Sequence, residues 1–112
     1  VDENYHGLAL DHAEGARIAE ATGDADIIFM KHHGVMVLAP TIAEAWDDLY
    51  YLERAAEVQV LAMSTGRKVL PVAPDVAQAT YDQIREEDAS SAKLHLAAIR
   101  RQLDAEEPQY RH

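Results

Sequence analysis

IIFMKHHGVMVL, residues 27–38, is the only long and nearly continuous apolar stretch of this chain. Two adjacent histidines and a glycine interrupt it in the middle, whereas the rest of the sequence is charged, rich in alanine and helical in pattern. Two short apolar runs that meet at a polar corner containing glycine are typical of two strands joined by a tight turn. We therefore predict strands at about residues 27–32 and 35–39. The corner between them could hold a metal ligand or a catalytic group rigidly.

Both predicted strands are apolar on both faces, which favours a central sheet that is covered on both sides. Pro40 ends the second strand, because proline has no N–H to donate to a sheet. Helical patterns lie on either side of the two strands, so the predicted fold class is α/β.

Two helices are predicted next to the strands. Asp11 is a plausible N-cap for a helix at about residues 11–22. Thr41 and Glu44 form a capping box that opens the longest helix, at about residues 42–64. Apolar residues recur along this long helix at steps of three and four, which gives it one apolar face. They are Ile42, Ala45, Trp46, Leu49, Leu52, Ala56, Val60 and Met63.

Two shorter helices are predicted in the rest of the chain. Pro74 stands at the favoured first position of a helix at about residues 75–86. Asp88 or Ser90 could cap a last helix at about residues 89–104. The apolar face of this last helix consists of Ala92, Leu96, Ile99 and Leu103.

Length and composition narrow the function classes. A chain of 112 residues with 48% hydrophobic residues is a single globular domain by the usual expectation. Its net charge of −10 argues against binding to nucleic acid or to an anionic membrane, because phosphate binding needs clustered Lys and Arg. The absence of cysteine excludes disulfides and thiolate metal sites. Without a signal sequence or an apolar run of about 20 residues, we expect a cytoplasmic protein. The start at Val1 is expected of a processed protein or a piece of a longer one.

His33 is the first candidate for chemistry. Neutral imidazole is a common metal ligand, and a corner between strands would fix its direction. Adjacent residues of a strand face opposite sides, so His32 and His33 are not expected to reach the same point. Gly34 permits close approach at this corner. The alternative is that either histidine only hydrogen-bonds the backbone of a turn.

The remaining candidates are weaker. His6 and His12 form no H-x-H or H-E-x-x-H pair, and a zinc site needs three or four protein ligands. His95 lies in a helical pattern and His112 is terminal, so we expect both to be solvated. Glu53, at the centre of the longest helix, either orients a ligand histidine or is a surface carboxylate.

Several motifs, taken in their order, resemble the class II aldolase and adducin head-domain family. They are FMKHHGVMV at residues 29–37, TIAEA at residues 41–45 and YYLERA at residues 50–55. EGARIA at residues 14–19 is similar to the family's E-G-x-R-(L/I)-A helix, and residues 94–110 resemble the end of bacterial members. The resemblance covers nearly the whole chain, which corresponds to the C-terminal half of a family domain. It implies part of a three-layer α/β/α domain, with a mostly antiparallel central sheet flanked by helices.

The resemblance also implies roles for individual residues. His33 matches the third zinc ligand of the family, and His32 stands where the family usually has asparagine. Tyr110 is similar to a C-terminal tyrosine that reaches a neighbouring subunit's site in the sugar-phosphate aldolases. The family's H-x-H pair, which supplies two further ligands, and its acid/base glutamate lie upstream of the positions matched here.

The implied activity is that of a zinc-dependent aldolase-like lyase. Zinc, or another divalent metal, would bind a hydroxyketone or sugar-phosphate substrate and stabilise the enediolate formed when a carbon–carbon bond breaks. Relatives with the same ligands catalyse epimerisation, dehydration or decarboxylation, so the substrate stays open. The alternative is a non-catalytic, adducin-like domain that assembles and binds partners. By itself the chain is expected to be inactive and to associate, because an unpaired edge strand invites pairing. Family members are commonly homo-tetramers.

Overall fold

The computed structural model describes residues 1–4 and 10–111, which form two compact units, Val1–Pro40 and Thr41–His112. The first unit contains one helix and two strands. They are α1 (His12–Thr22), β1 (Ile27–Met30) and β2 (Gly34–Val37). The second unit contains two long helices and a short 3₁₀ helix. They are α2 (Ile42–Ser64), α3 (Pro74–Glu106) and the 3₁₀ helix Pro108–Arg111.

The two strands form the predicted hairpin. They pair antiparallel, in a register that runs from Ile27 opposite Val37 to Met30 opposite Gly34. Each strand is shorter than predicted, because β1 ends at Met30 and not at residue 32, and β2 ends at Val37 and not at residue 39. A single parallel bridge between Asp2 and Met30 brings the N-terminal segment to the free edge of β1.

Coverage of the sheet differs from the prediction. Ile28 is 2% exposed, whereas its strand neighbour Phe29 is 49% exposed. Neighbouring strand residues point to opposite faces, so within this unit the sheet is covered on one face and open on the other. The three-layer α/β/α arrangement therefore stays a prediction beyond these two strands.

The capped start of α2 is confirmed. The backbone N–H of Glu44 donates to the side-chain oxygen of Thr41 over 3.3 Å, and the Thr41 hydroxyl donates to the Glu44 carboxylate over 2.5 Å. The helix runs from Ile42 to Ser64, as predicted. A similar cap begins α1, where the Glu14 N–H donates to the Asp11 carboxylate over 2.9 Å.

The two predicted C-terminal helices are one helix. The predicted break between residues 75–86 and 89–104 is wrong, because α3 is continuous over 33 residues. No glycine or proline lies between Asp75 and Glu106. Aspartate and serine inside a helix cost only about 0.5 kcal/mol each relative to alanine. That cost is too small for Asp88 and Ser90 to end a helix that good helix formers continue on both sides.

Burial in the second unit is uneven. The predicted apolar face of the C-terminal half of α3 is confirmed, since Ala92 is fully buried and Leu96, Ile99 and Leu103 are half-buried. The apolar face predicted for α2 is not buried. Ala45, Trp46 and Leu52 are half-buried, whereas Ile42 is 78% exposed. Large apolar side chains further along the unit are more than half exposed, among them Val58, Val60, Leu61, Met63, Val69, Leu70 and Ile84.

No helix within the described residues is both long enough and apolar enough to cross a membrane.

Candidate functional site

The turn between β1 and β2 is the candidate site of the first unit. Lys31, His32 and His33 form it, and the backbone N–H of His33 donates to the carbonyl oxygen of Met30 over 3.1 Å. His32 has a φ of 60°, in the left-handed region. Asn, Asp and His occupy this region several times more often than other non-glycine residues. A histidine therefore meets the same backbone requirement here that an asparagine would.

Both histidines lie outside the strands, which changes the argument about their directions. The alternation of strand side chains predicts opposite directions for His32 and His33, but β1 ends at Met30 and the chain reverses at His32. Alternation therefore does not apply at this corner. Both residues are exposed.

The corner does not by itself form a complete metal site. An exposed imidazole on a short hydrogen-bonded turn suits a zinc ligand. A zinc site needs at least three protein ligands, and within residues 1–4 and 10–111 no group of three His, Asp or Glu side chains could hold a metal ion. His33 therefore fits zinc as one ligand, and the described part of this chain does not complete the set.

A charged cluster lies beside the corner and holds the N-terminal segment. The guanidinium of Arg17 donates to both carboxylate oxygens of Asp2, over 2.9 and 2.8 Å, and to both oxygens of Glu14, over 2.9 and 2.7 Å. Asp2 is only 4% exposed. The hydrogen bonds to Glu14 and then to Asp2 raise the pKa of Arg17, so the guanidinium stays charged and this buried carboxylate has its counter-ion. We call Asp2, Glu14 and Arg17 the arginine clamp.

The second unit holds a histidine that the sequence prediction misplaced. His95 is only partly exposed and is not a fully solvated side chain. Its Nδ1 lies 2.5 Å from Oδ1 of Asp47, and the exposed fractions of the two side chains are 25% and 8%. Its ring meets Trp46 edge-on at 4.6 Å between centroids and Tyr50 at 4.8 Å. The two long helices are therefore joined by a partly buried imidazole–carboxylate pair inside an aromatic cluster.

A signal for this burial was present in the sequence. His95 lies three residues after Ala92 and one before Leu96, at the edge of the apolar face of α3. That spacing predicts partial burial. Its partner could not be inferred from spacing, because Asp47 is 48 residues away on another helix.

An open groove of about 820 Å³ lies beside this pair. It is lined mainly by α2, including Asp47, Tyr51 and Val58, and by Ile84 and Ser91 of α3. A histidine oriented by a carboxylate supplies two of the three members of a nucleophilic triad. Among the described side chains, however, no hydroxyl is hydrogen-bonded to the histidine of the pair. The pair therefore joins the two helices.

Tyr110 lies in the 3₁₀ helix at the end of the chain's described part. Its hydroxyl donates to Oδ1 of Asp104 over 2.7 Å, and Arg111 pairs with the same carboxylate. The hydrogen bond from Tyr110, followed by that from Arg111, lowers the pKa of Asp104. Tyr110 is 43% exposed. The catalytic role suggested by resemblance stays a prediction.

The other candidates within the described residues, Glu53 and His12, form no visible site. Glu53 is exposed, and its neighbour Arg54 pairs with Glu57 over 3.0 Å. His12 is the exposed first residue of α1. His6 and His112 lie outside the described residues.

Comparison with known proteins identifies one family. The family model described as the class II aldolase and adducin N-terminal domain matches residues 1–60. This range includes the hairpin corner, the arginine clamp and most of α2. No solved structure matches the chain.

The chain is similar to three curated relatives. The chain is 33% identical over 111 residues to a "Putative aldolase class 2 protein" of Caulobacter vibrioides, an alignment that covers 96% of this chain and 42% of that protein. It is 31% identical to a protein with the same description from Pseudomonas aeruginosa, over 96% of this chain and 43% of the relative. An "Adducin-related protein" of Schizosaccharomyces pombe is 28% identical, over 96% of this chain and 36% of the relative. The chain thus spans about two fifths of the length of these relatives.

Proposed function

The chain belongs to the class II aldolase and adducin N-terminal domain family, and we propose that it is the C-terminal part of a metal-dependent, aldolase-like lyase in which His33 is one zinc ligand. The observation that carries this proposal is the position of His33. It lies directly after a left-handed residue in a three-residue turn, between the two strands that the family match includes.

Membership of the family and the position of His33 support the proposed chemistry. A bound zinc ion or another divalent metal supplies Lewis-acid chemistry at the oxygens of a carbonyl substrate. We propose a hydroxyketone or sugar phosphate as that substrate. His33 contributes a ligand from a turn, and the remaining ligands come from outside the described residues. We also propose a cytoplasmic location, which cell fractionation tests.

The ligand assignment is tested by elemental analysis of the complete protein. We expect stoichiometric zinc in the wild type and a clearly lower zinc content in His33→Ala, because the substitution removes one of three protein ligands. His12→Ala is the matched control, since His12 is also an exposed histidine of the first unit. An equal zinc content in the wild type and His33→Ala would show that His33 is not a zinc ligand.

We propose a catalytic role for Tyr110 in a neighbouring subunit's site. Its hydroxyl must then exchange Asp104 for substrate, which its 43% exposure permits. Tyr110→Phe removes only the hydroxyl. We expect it to lower kcat for aldol cleavage while zinc content stays unchanged, and an unchanged kcat would show that the hydroxyl is not used.

The second candidate function is a non-catalytic assembly domain. It is favoured by the similarity to a protein described as adducin-related and by the lack of a complete metal-ligand group among the described residues. The complete protein discriminates between the two. A lyase needs an H-x-H pair upstream and His33-dependent zinc, whereas an assembly domain lacks both and still self-associates.

We also propose that the chain forms a homo-oligomer. The support is the row of exposed apolar residues on the second half of α2, where Val58 is 65% exposed and Leu61 is 61% exposed. Sedimentation velocity tests this. Leu61→Glu should shift the protein to a smaller species, and the exposed neighbouring substitution Gln59→Glu should not, because it adds the same charge to a polar position. A monomeric wild type at all concentrations would exclude the proposal.

A further inference from the structure

The arginine clamp lies next to the strand end from which the histidine corner projects. Asp2 pairs with β1 through its backbone, since its N–H donates to the Phe29 carbonyl over 2.8 Å and its carbonyl accepts from the Lys31 N–H over 3.0 Å. Lys31 is the first residue of the turn that contains His33. The Asp2 backbone therefore hydrogen-bonds Phe29 and Lys31, the two residues on either side of Met30, where β1 ends.

The side chain of Asp2 fixes that segment to α1. Its buried carboxylate is held at both oxygens by Arg17, and Arg17 is held in turn by Glu14 one helical turn earlier. A two-point pair between guanidinium and carboxylate constrains orientation as well as distance. A lysine would keep the charge but not this geometry, because its ammonium acts as a point charge.

We infer that Arg17 is a positioning residue, which acts through Asp2 to fix the backbone of the turn that presents His33. The sequence of contacts runs from α1 through Arg17 and the Asp2 carboxylate to the Asp2 backbone, and from there to Lys31 at the turn. The inference rests on the proposed function only in taking His33 as a metal ligand. Residues that orient a metal ligand without binding the metal commonly contribute to metal affinity, and replacing them typically weakens binding by about 10- to 100-fold.

The test is amide hydrogen exchange measured residue by residue by NMR. In Arg17→Lys and in Asp2→Asn, we expect the Lys31 amide to exchange at least about tenfold faster, since its acceptor is no longer held. The amide of Leu38 donates to Asp26 over 2.7 Å at the far end of the hairpin and should keep its protection. This contrast separates a local effect on the corner from general destabilisation.

Glu3→Gln is the matched control. Glu3 pairs with Lys31 over 3.2 Å, so it also links the N-terminal segment to the corner, but both side chains are at least half exposed. An exposed pair contributes little, and we expect exchange at the corner to stay as in the wild type. Unchanged Lys31 exchange in Arg17→Lys overturns the inference. Equal loss of protection at Lys31 and Leu38 overturns it as well.

Zinc binding by the complete protein gives the second measurement. We expect Arg17→Lys to bind zinc about 10- to 100-fold more weakly and to show an altered spectrum with cobalt(II) in place of zinc. If His33→Ala loses zinc and Arg17→Lys does not, the proposed function stands and the inference fails. If His33→Ala keeps its zinc, the proposed function fails, and the exchange data alone decide whether the clamp fixes the turn.

Discussion

Replacing His95 by alanine should lower the free energy of unfolding by about 3 kcal/mol. The substitution removes the hydrogen-bond partner of Asp47, whose side chain is 8% exposed. It also removes a ring that Trp46 and Tyr50 contact at centroid distances of 4.6 and 4.8 Å. The prediction tests whether this pair joins α2 to α3.

The magnitude follows from those contacts. Losing a hydrogen bond to a buried charged group costs about 1.5–3 kcal/mol. The lower part of that range applies, because the side chain of His95 is 25% exposed and water can reach part of the space it leaves. Each aromatic edge contact contributes about 0.5 kcal/mol at a partly exposed position. The two contacts and the hydrogen bond together give about 3 kcal/mol.

Urea unfolding followed by tryptophan fluorescence measures this loss. Trp46 is the only tryptophan and contacts His95, so its emission reports on the second unit. Protein concentration must be held fixed, because association adds to apparent stability. Leu94→Ala is the control. Leu94 is the adjacent residue on α3 and is 71% exposed, so its loss should cost less than about 0.5 kcal/mol.

A double-mutant cycle with Asp47→Ala isolates the pair. The stability lost in the double variant should be about 2 kcal/mol smaller than the sum of the two single losses, because the two residues are in direct contact and share one interaction. A coupling energy below about 0.5 kcal/mol would refute the assignment of His95 and Asp47 as an energetic link.

Three further predictions concern other parts of the chain. His32→Val should destabilise the protein by about 1–2 kcal/mol in thermal unfolding, since a β-branched residue is strained at a φ of 60°. His32→Gly should change stability little. Equal effects of the two substitutions would contradict a left-handed backbone at His32. Ser90→Pro should lower the free energy of unfolding by about 3 kcal/mol or more and reduce the helicity measured by circular dichroism, because position 90 lies inside a continuous helix. Ser90→Ala is the control. If the proline is tolerated, the helix is broken near Ser90 as the sequence predicted. The hydrogen bonds from Tyr110 and then Arg111 lower the pKa of Asp104. These contacts therefore stabilise the fold at pH values above about 4, the ordinary carboxylate pKa, and the stabilisation is lost as the pH falls from there through the lowered pKa. The NMR signals of Tyr110 should follow this acid titration, and a titration that persists in Asp104→Asn would show another cause.

Much of the local structure was predictable because its causes are local. The hairpin follows from two apolar runs around a polar corner, and the start of α2 from the capping box of Thr41 and Glu44. The break predicted near Ser90 was wrong, because a capping residue does not end a helix when good helix formers continue on both sides. The likeness of the corner to the family was also recognisable, since it depends on short motifs in a fixed order.

Residue order along the chain therefore established the two strands, the start of α2 and the family. Contacts between distant residues came from the fold alone. Arg17 reaches Asp2 across 15 positions, and His95 reaches Asp47 across 48. Local pattern reports the neighbours of a residue within a few turns of helix or along one strand. It carries no information about which charged side chains meet across elements, because that depends on how the elements pack.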